Sequence, residues 1–307
     1  MMSTAAKRIK ESYLLYSFRR DPVAMASFTV LVVLITIGLL APLLAPYNPY
    51  DPGNIDIMNS ELPPAWVDAG SADFLLGTDI QGRDLMSTMI YGLRVSLLIG
   101  CGAVLLQALL GIVIGLLAGY LGGKVDALLM RLADIQLSFP YLMVAIFISA
   151  IFQLAFGIGR YESLAVPLLI VIIGLSEWPV YARTVRASVL GEKSKEYVEA
   201  ARVIGISRRL IMFRHILPNT LTSVLVISTI QVANAVMSEA ALSFLGLGMP
   251  ITKPSLGSLI RSGFEYIFSG SWWITLFPGI LLVLLVLVFN LLGDWLRDVL
   301  NPKLYKG

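Results

Sequence analysis

SKEYVEAARVIGISRRLIMFRHILPN, residues 194–219, is a polar and basic island set between long apolar runs. Runs of that length and character are membrane helices, so the island is a connection lying at a membrane face. Ser194 is placed to cap a first helix, with Glu196 and Glu199 near its start, where the macrodipole favours acids. Gly205 then interrupts the pattern, and Ser207 is placed to cap a second short helix over 208–216. Pro218 either stops that helix or sits in the first turn of the next membrane segment. The expectation is two short helices at an angle. Ala200 and Ala201 leave the first one nearly bare, so another protein's surface can approach its backbone, and Gly205 permits a turn that a side chain would obstruct.

Working outward, 57% of the 307 residues are hydrophobic and 14% charged, which places the chain among polytopic membrane proteins. Charge-free runs cover 22–50, 95–123, 135–159, 163–176, 216–238 and 266–293, giving six spans once the fourth is extended through 177–182. With the amino terminus inside, the outer segments hold only Arg83, Arg94, Arg160, Lys253 and Arg261 of the 23 Lys and Arg. The excess on the other side puts both termini and the Glu199 loop in the cytoplasm. Cys101 lies within the second run; a lone cysteine forms no intramolecular disulfide and reads as a small core residue.

Residues 1–21 form a basic cytoplasmic leader with Lys7, Arg8, Lys10, Arg19 and Arg20, followed by an uncleaved first span over 22–46. An acidic extracytoplasmic loop, 47–93, carries Asp79 and Asp84, which Arg83 and Arg94 are placed to face as ion pairs. Residues 94–307 make a core of five further spans with a cytoplasmic loop at 183–218. Gly111, Gly115 and Gly119 recur at four-residue spacing, a face for close helix packing. Pro140, Pro167 and Pro179 are placed to kink the third and fourth spans, about 134–156 and 163–182. Glu177 reads as a partner for Arg183. Gln231 and Asn234 share one face of the fifth span and either line an aqueous path or bond a neighbouring helix. Trp272 and Trp273 sit where an interfacial belt would anchor the sixth, and Asp294 and Arg297 are spaced for a surface pair.

The chemistry that is missing narrows the function. One histidine and one cysteine do not build a zinc site, and no nucleophile stands in a motif with a base. Gly122-Gly123-Lys124 is not a phosphate loop, because Ala118 and Val125 occupy positions that would need Gly and Ser or Thr. His215 reads as structural or partner-facing. The basic residues lack stacking aromatics, which argues against nucleic acid.

Glu199, Ala200, Ala201, Gly205, Leu217 and Pro218 resemble the EAA loop of permease subunits of bacterial ABC importers. Further blocks narrow the resemblance to the C-type subunit of the dipeptide and oligopeptide branch: Gly77, Thr78, Asp79, Gly82, Arg83, Asp84, Ser87, Gly92, Arg94 and Ser96; LSFLGLGMP at 242–250; and Asn290, Gly293, Asp294, Leu296, Arg297, Asp298 and Pro302. Leu256 stands before Gly257 where that branch has Trp, and Trp295 and Asn301 also depart from it. The resemblance implies an all-α membrane protein of the type I importer fold, with six transmembrane helices and cytoplasmic coupling helices. It implies ATPase coupling through Glu199, Ala200, Ala201, Gly205, Ser207, Leu217 and Pro218, and Gln231 and Asn234 are candidates to line the pathway. The implied complex is an ATP-driven importer of di- or oligopeptides in the bacterial cytoplasmic membrane. Its other parts would be a second related permease, two cytoplasmic ATPases holding ATP and Mg, and an external binding protein; this chain would hold no cofactor and have no ATPase site. The alternatives are nickel or glutathione as cargo, or an ATP-independent secondary transporter.

Overall fold

Within a bilayer a backbone must satisfy its own hydrogen bonds, so each charge-free run has to close on itself as a helix. A computed structural model, describing residues 13–51, 53 and 55–300, shows where each helix begins and ends. The basic leader is described only from Tyr13; Arg19 and Arg20 end α1 (Tyr13–Arg20), while Lys7, Arg8 and Lys10, like Asn301 and Pro302, lie outside the described residues. The Asp21 carboxylate then accepts from the N–H groups of Val23 at 2.9 Å and Ala24 at 3.0 Å, capping α2 (Pro22–Leu39).

The next helix, α3 (Leu85–Leu121), starts well before the hydropathy run. Asp84 fixes its start by accepting from Ser87 N–H at 2.7 Å, so 85–93 is helix, not the tail of an irregular loop. The third span is broken. Gly123–Ser138 (α4) and Tyr141–Phe156 (α5) meet at Pro140 with a bend of 81°, where the sequence predicts one kinked helix over 134–156. By contrast α6 (Ile158–Lys193) runs unbroken through Pro167 and Pro179 and far beyond 163–182. After α7 (Glu196–Val203) come α8 (Arg208–Phe244), the short α9 (Leu256–Phe264) and α10 (Trp273–Val299). Among the described residues five helices are long and apolar enough to cross a membrane, and six if α4 and α5 count as one broken span.

The centre of the bundle is the contact of α3 with α6. A Cβ on Gly102 would meet Ile170 at 2.8 Å, one on Gly111 would collide with Tyr181, and one on Gly119 would meet Val189 at 2.8 Å. Residue numbers rise together along both helices, so they run parallel, a course made possible by the return pass through α4 and α5. The glycine face predicted from spacing is therefore the seam on which Tyr181, Val185 and Val189 pack, all 0% exposed. Along α8 the pairing is antiparallel: Ser96 meets Glu239, and Gln107 meets Gln231.

At one end of the bundle, segments around 78–84 and 245–256 are locked together. Arg83 Nε donates to Asp79 at 2.7 Å, with side-chain exposures of 4% and 1%, and Arg83 Nη1 reaches the Ile251 carbonyl at 3.2 Å. Tyr161 donates to the carbonyls of Leu247 and Gly248 at 2.6 and 2.8 Å. Trp273 is buried here, its indole N–H on the Thr78 carbonyl at 3.1 Å, so it is a packing residue and not an interfacial anchor; Trp272 alone keeps an exposed ring. Other sequence expectations also change. Cys101 is exposed on the outside of α3, Arg94 is exposed, and among the described residues neither Arg94 with Asp84 nor Asp294 with Arg297 forms an ion pair.

Candidate functional site

The opposite end carries the connection from α6 to α8. Ser194 closes α6, its hydroxyl donating to the Gly191 carbonyl at 3.1 Å, and the N-cap of α7 is Lys195 without a side-chain cap; the predicted Ser194 cap is not formed. Glu196 and Glu199 do occupy the first turn of α7, in the field of its amino terminus. Gly205 has φ +84°, a left-handed turn that a bulky residue adopts only under strain. Ser207 then caps α8, accepting from Leu210 N–H at 3.4 Å.

From Ile211 to Ile216 the α8 backbone opens into a π-helical turn before resuming at Leu217. Pro218 lies in the first turn of the resumed helix, where it offers no N–H and its ring crowds the preceding turn, so a widened turn relieves the clash. The second short helix expected from the sequence is thus the first turns of α8 itself. Only α7 stands apart.

Burial sorts the coupling candidates. Glu199 and Ala200 face outward, whereas Ala201 is 4% exposed and packs with Val198, Ile206, Ile211 and Ile216 in the main core. Ala201, with Val198, therefore seats α7 on the bundle and is not part of a bare outer face; Leu217 packs on the same core and Pro218 is exposed. The seat is reinforced by polar ties. Tyr197 Oη donates to Glu192 at 2.5 Å, and Asn219 Nδ2 donates to Tyr197 Oη at 3.1 Å and to the His215 carbonyl at 2.7 Å. Burial, and after it the neighbouring Glu192 carboxylate, raises the Tyr197 pKa and keeps the phenol a neutral donor. Beyond this post the chain projects Val203 and Ile204, 87% and 77% exposed. Two branched apolar residues just before a turn glycine in a polar loop were the available signal for them, and a reading centred on Ala200 and Ala201 passes over it.

A second polar cluster lies inside the helices. Gln231 Nε2 donates to Glu177 at 2.9 Å and lies 3.4 Å from Gln107 Oε1, while Asn234 donates to Gln231 at 2.8 Å. Glu177 thus bonds Gln231, and Arg183, its expected partner, pairs with Asp134 at 2.6 Å. A cavity of about 340 Å³ opens beside the cluster at the α4 to α5 bend, lined by Pro140, Tyr141, Ser176, Glu177, Gln231 and Asn234. Gln231 bonds residues of two neighbouring helices, Asn234 bonds Gln231 on its own helix, and both line this cavity. Gln107 gives no signal in the sequence, because a lone Gln in an apolar run carries no motif.

Residues 111–306 match the family model for the binding-protein-dependent transport system inner membrane component. The chain belongs to that family.

The transport component also matches, over residues 12–64, the N-terminal transmembrane domain of oligopeptide transport permease C. It is 38% identical to the di/tripeptide transport system permease protein DppC of Pseudomonas aeruginosa, over 94% of this chain and 90% of the relative. It is 40% identical to the dipeptide transport system permease protein DppC of Escherichia coli K12, over 94% and 91%. A solved structure of the MetNI methionine ABC transporter, in an inward-facing conformation, aligns with TM-score 0.56 at 21% identity, over 71% of this chain and 98% of that one, which bears on the fold alone. The chain is accordingly an integral inner-membrane permease subunit of an ABC importer, and ATP hydrolysis belongs to separate subunits. Membership sets aside the ATP-independent secondary transporter.

Proposed function

We propose that this chain is one of two related permease subunits of an importer for di- or oligopeptides, that both termini and residues 183–218 face the cytoplasm, and that α7 is the coupling helix. The relatives named as dipeptide and di/tripeptide permeases support the cargo class. Two cytoplasmic ATPases bind ATP and Mg, and an external binding protein delivers the peptide to the end built around Asp79, Arg83 and 245–256. Closure of the ATPases pushes on α7; because Ala201 and Tyr197 seat it on α6 and α8, the push moves those spans as a body and switches access to the cavity beside Gln231 and Asn234. Glu199 and Ala200 contact the ATPase, Gly205 and Ser207 shape the turn, and Leu217 and Pro218 carry the motion into α8.

The observation that carries this reading is the 87% and 77% exposure of Val203 and Ile204 on a helix otherwise fastened down. Exposed branched side chains on a rigid post suit insertion into a groove of another protein. The test is site-directed cross-linking of the assembled complex in inverted vesicles, with Ile204→Cys in a Cys101→Ser background. The expected product is a cross-link to an ATPase subunit whose yield changes with ATP. Labelling of position 204 only from the opposite side of the membrane refutes the orientation, and uptake of a labelled dipeptide by the same vesicles checks the cargo.

A further inference from the structure

Beneath α7 lies a cavity of about 510 Å³ that the coupling role does not use, lined by Tyr120, Leu121, Lys193, Arg202, Ile206, Arg208 and Ile211. Every charged residue in that lining is basic. Among the described residues no carboxylate forms an ion pair with Lys193, Arg202 or Arg208. Lys193 is held in place by donating to the Tyr120 carbonyl at 2.7 Å, with its ammonium 5.6 Å from the Tyr120 ring centre. The two arginines come from α7 and the start of α8, on either side of the Gly205 turn, so the turn itself brings their guanidinium groups to one cavity.

The level of this cavity in the bilayer follows from α3. The charge-free stretch from Val95 to Leu121 extends roughly 40 Å at about 1.5 Å per residue, comparable to a hydrocarbon layer plus its headgroups at about 40–45 Å. Leu121, at the end of α3, therefore sits at the headgroup layer, and its side chain is 55% exposed at the cavity rim. Ile206 and Ile211 supply an apolar floor. A cavity with unpaired cations on one wall and branched apolar side chains on another matches an amphiphile with a phosphate head.

We propose that this cavity binds the phosphate of an anionic phospholipid headgroup, with Arg202 and Arg208 on the phosphate oxygens and Lys193 beside them. The site requires the elbow to lie at a membrane face; it does not require peptide cargo or contact with an ATPase. A bound headgroup would bridge α7 to the end of α6 through Lys193 and, across the Gly205 turn, to the start of α8 through Arg208, so the lipid composition of the membrane would set how firmly the elbow is held.

The experiment is native mass spectrometry of the assembled complex, released from nanodiscs of dioleoylphosphatidylglycerol and dioleoylphosphatidylcholine in equal amounts. The expected result is retention of phosphatidylglycerol several-fold above phosphatidylcholine, falling to parity in the Arg202→Gln/Arg208→Gln variant. The same spectra report whether that variant still assembles, which separates loss of lipid from loss of subunits. A parallel arm adds 10 mM inorganic phosphate: retained lipid supports a headgroup site, and lipid displaced by phosphate alone overturns it in favour of a free anion. Equal retention of both lipids by the unaltered complex, or unchanged retention by the variant, also overturns the proposal. Labelling at position 204 is independent of all these outcomes, so failure here leaves the coupling reading to its own test.

Discussion

The Tyr197 hydroxyl donates to the Glu192 carboxylate at 2.5 Å and at the same time accepts from Asn219 at 3.1 Å, so one phenol joins α7 to the end of α6 and the start of α8. Tyr197→Phe removes both bonds while leaving the ring. The neutral bond from Asn219 contributes about 0.5–1.5 kcal/mol and the one to the charged Glu192 up to about 3 kcal/mol, too little to unfold the bundle but enough to loosen α7. The expected outcome is a variant that inserts and assembles normally yet transports less peptide per ATP hydrolysed, read by parallel uptake and phosphate-release assays in proteoliposomes. Unchanged stoichiometry would show that α7 is held by Val198 and Ala201 alone.

Gly205 separates backbone strain from bulk. Nothing lies within 4 Å of a Cβ built there, so the cost of substitution comes from φ +84°, roughly 1–2 kcal/mol for an ordinary residue and less for Asn. Gly205→Asn is expected to keep most uptake and Gly205→Val to lose most of it, with both accumulating in the membrane to the same level. Equal loss in both would mean that the open space around Gly205 is filled by a partner in the complex.

How much of this arrangement could be read beforehand depends on whether local or distant forces set it. The turn at Gly205, the Ser207 cap and the acids in the first turn of α7 follow from residues within a few positions of one another, and all are present. The glycine seam is equally local, a repeat on one helix face. Long-range packing was less legible. Which way Ala201 points is decided by Ile206, Ile211 and Ile216 rather than by its neighbours in α7. The hydropathy run hides the true start of α3, because Asp84, Arg83 and Asp79 look like loop residues until the Asp84 cap on Ser87 and the Arg83–Asp79 pair are seen. Closeness along the chain suggests that Glu177 pairs with Arg183, but the acid meets α8 and the base meets α4. Pro140 announced a kink, and only the structure shows that it becomes a break of 81° that opens a cavity.

The glycine seam supports a stability prediction with an internal control. A Cβ on Gly115 would collide with the Ala182 carbonyl and meet Val185 Cβ at 2.8 Å, contacts with backbone and a β-branched carbon that have little room to give. Overpacking of this kind costs about 1–3 kcal/mol. Gly191, on the same helix α6 as those partners, has nothing within 4 Å of a Cβ. Thermal unfolding in detergent is expected to show Gly115→Ala melting several degrees below the parent and Gly191→Ala melting with it. A neutral Gly115→Ala would mean that α3 and α6 slide apart at little cost.

At the far end the ion pair of Asp79 with Arg83 is almost fully enclosed, and Asp79 Oδ1 also accepts the N–H groups of Gln81 and Arg83 at 2.9 and 3.0 Å. Arg83→Met leaves a carboxylate buried beside an apolar chain and also removes the donor to the Ile251 carbonyl. Breaking one side of a buried pair costs about 3–5 kcal/mol, and the loss falls on the segment that joins 78–84 to 245–256. Asp84 neighbours this pair, and its burial raises the carboxyl pKa, so that site is already short of water. The expected variant keeps its spans and its elbow, as read by intact membrane insertion and a normal cross-link from position 204, but its 47–84 segment is cleaved by added protease several-fold faster. If the binding protein docks on this surface, its affinity for the complex drops in the same variant while basal ATP hydrolysis without the binding protein stays at the parental rate. Equal protease resistance in the two proteins would show that the segment is held by Trp273 and Tyr161 rather than by the buried charge pair.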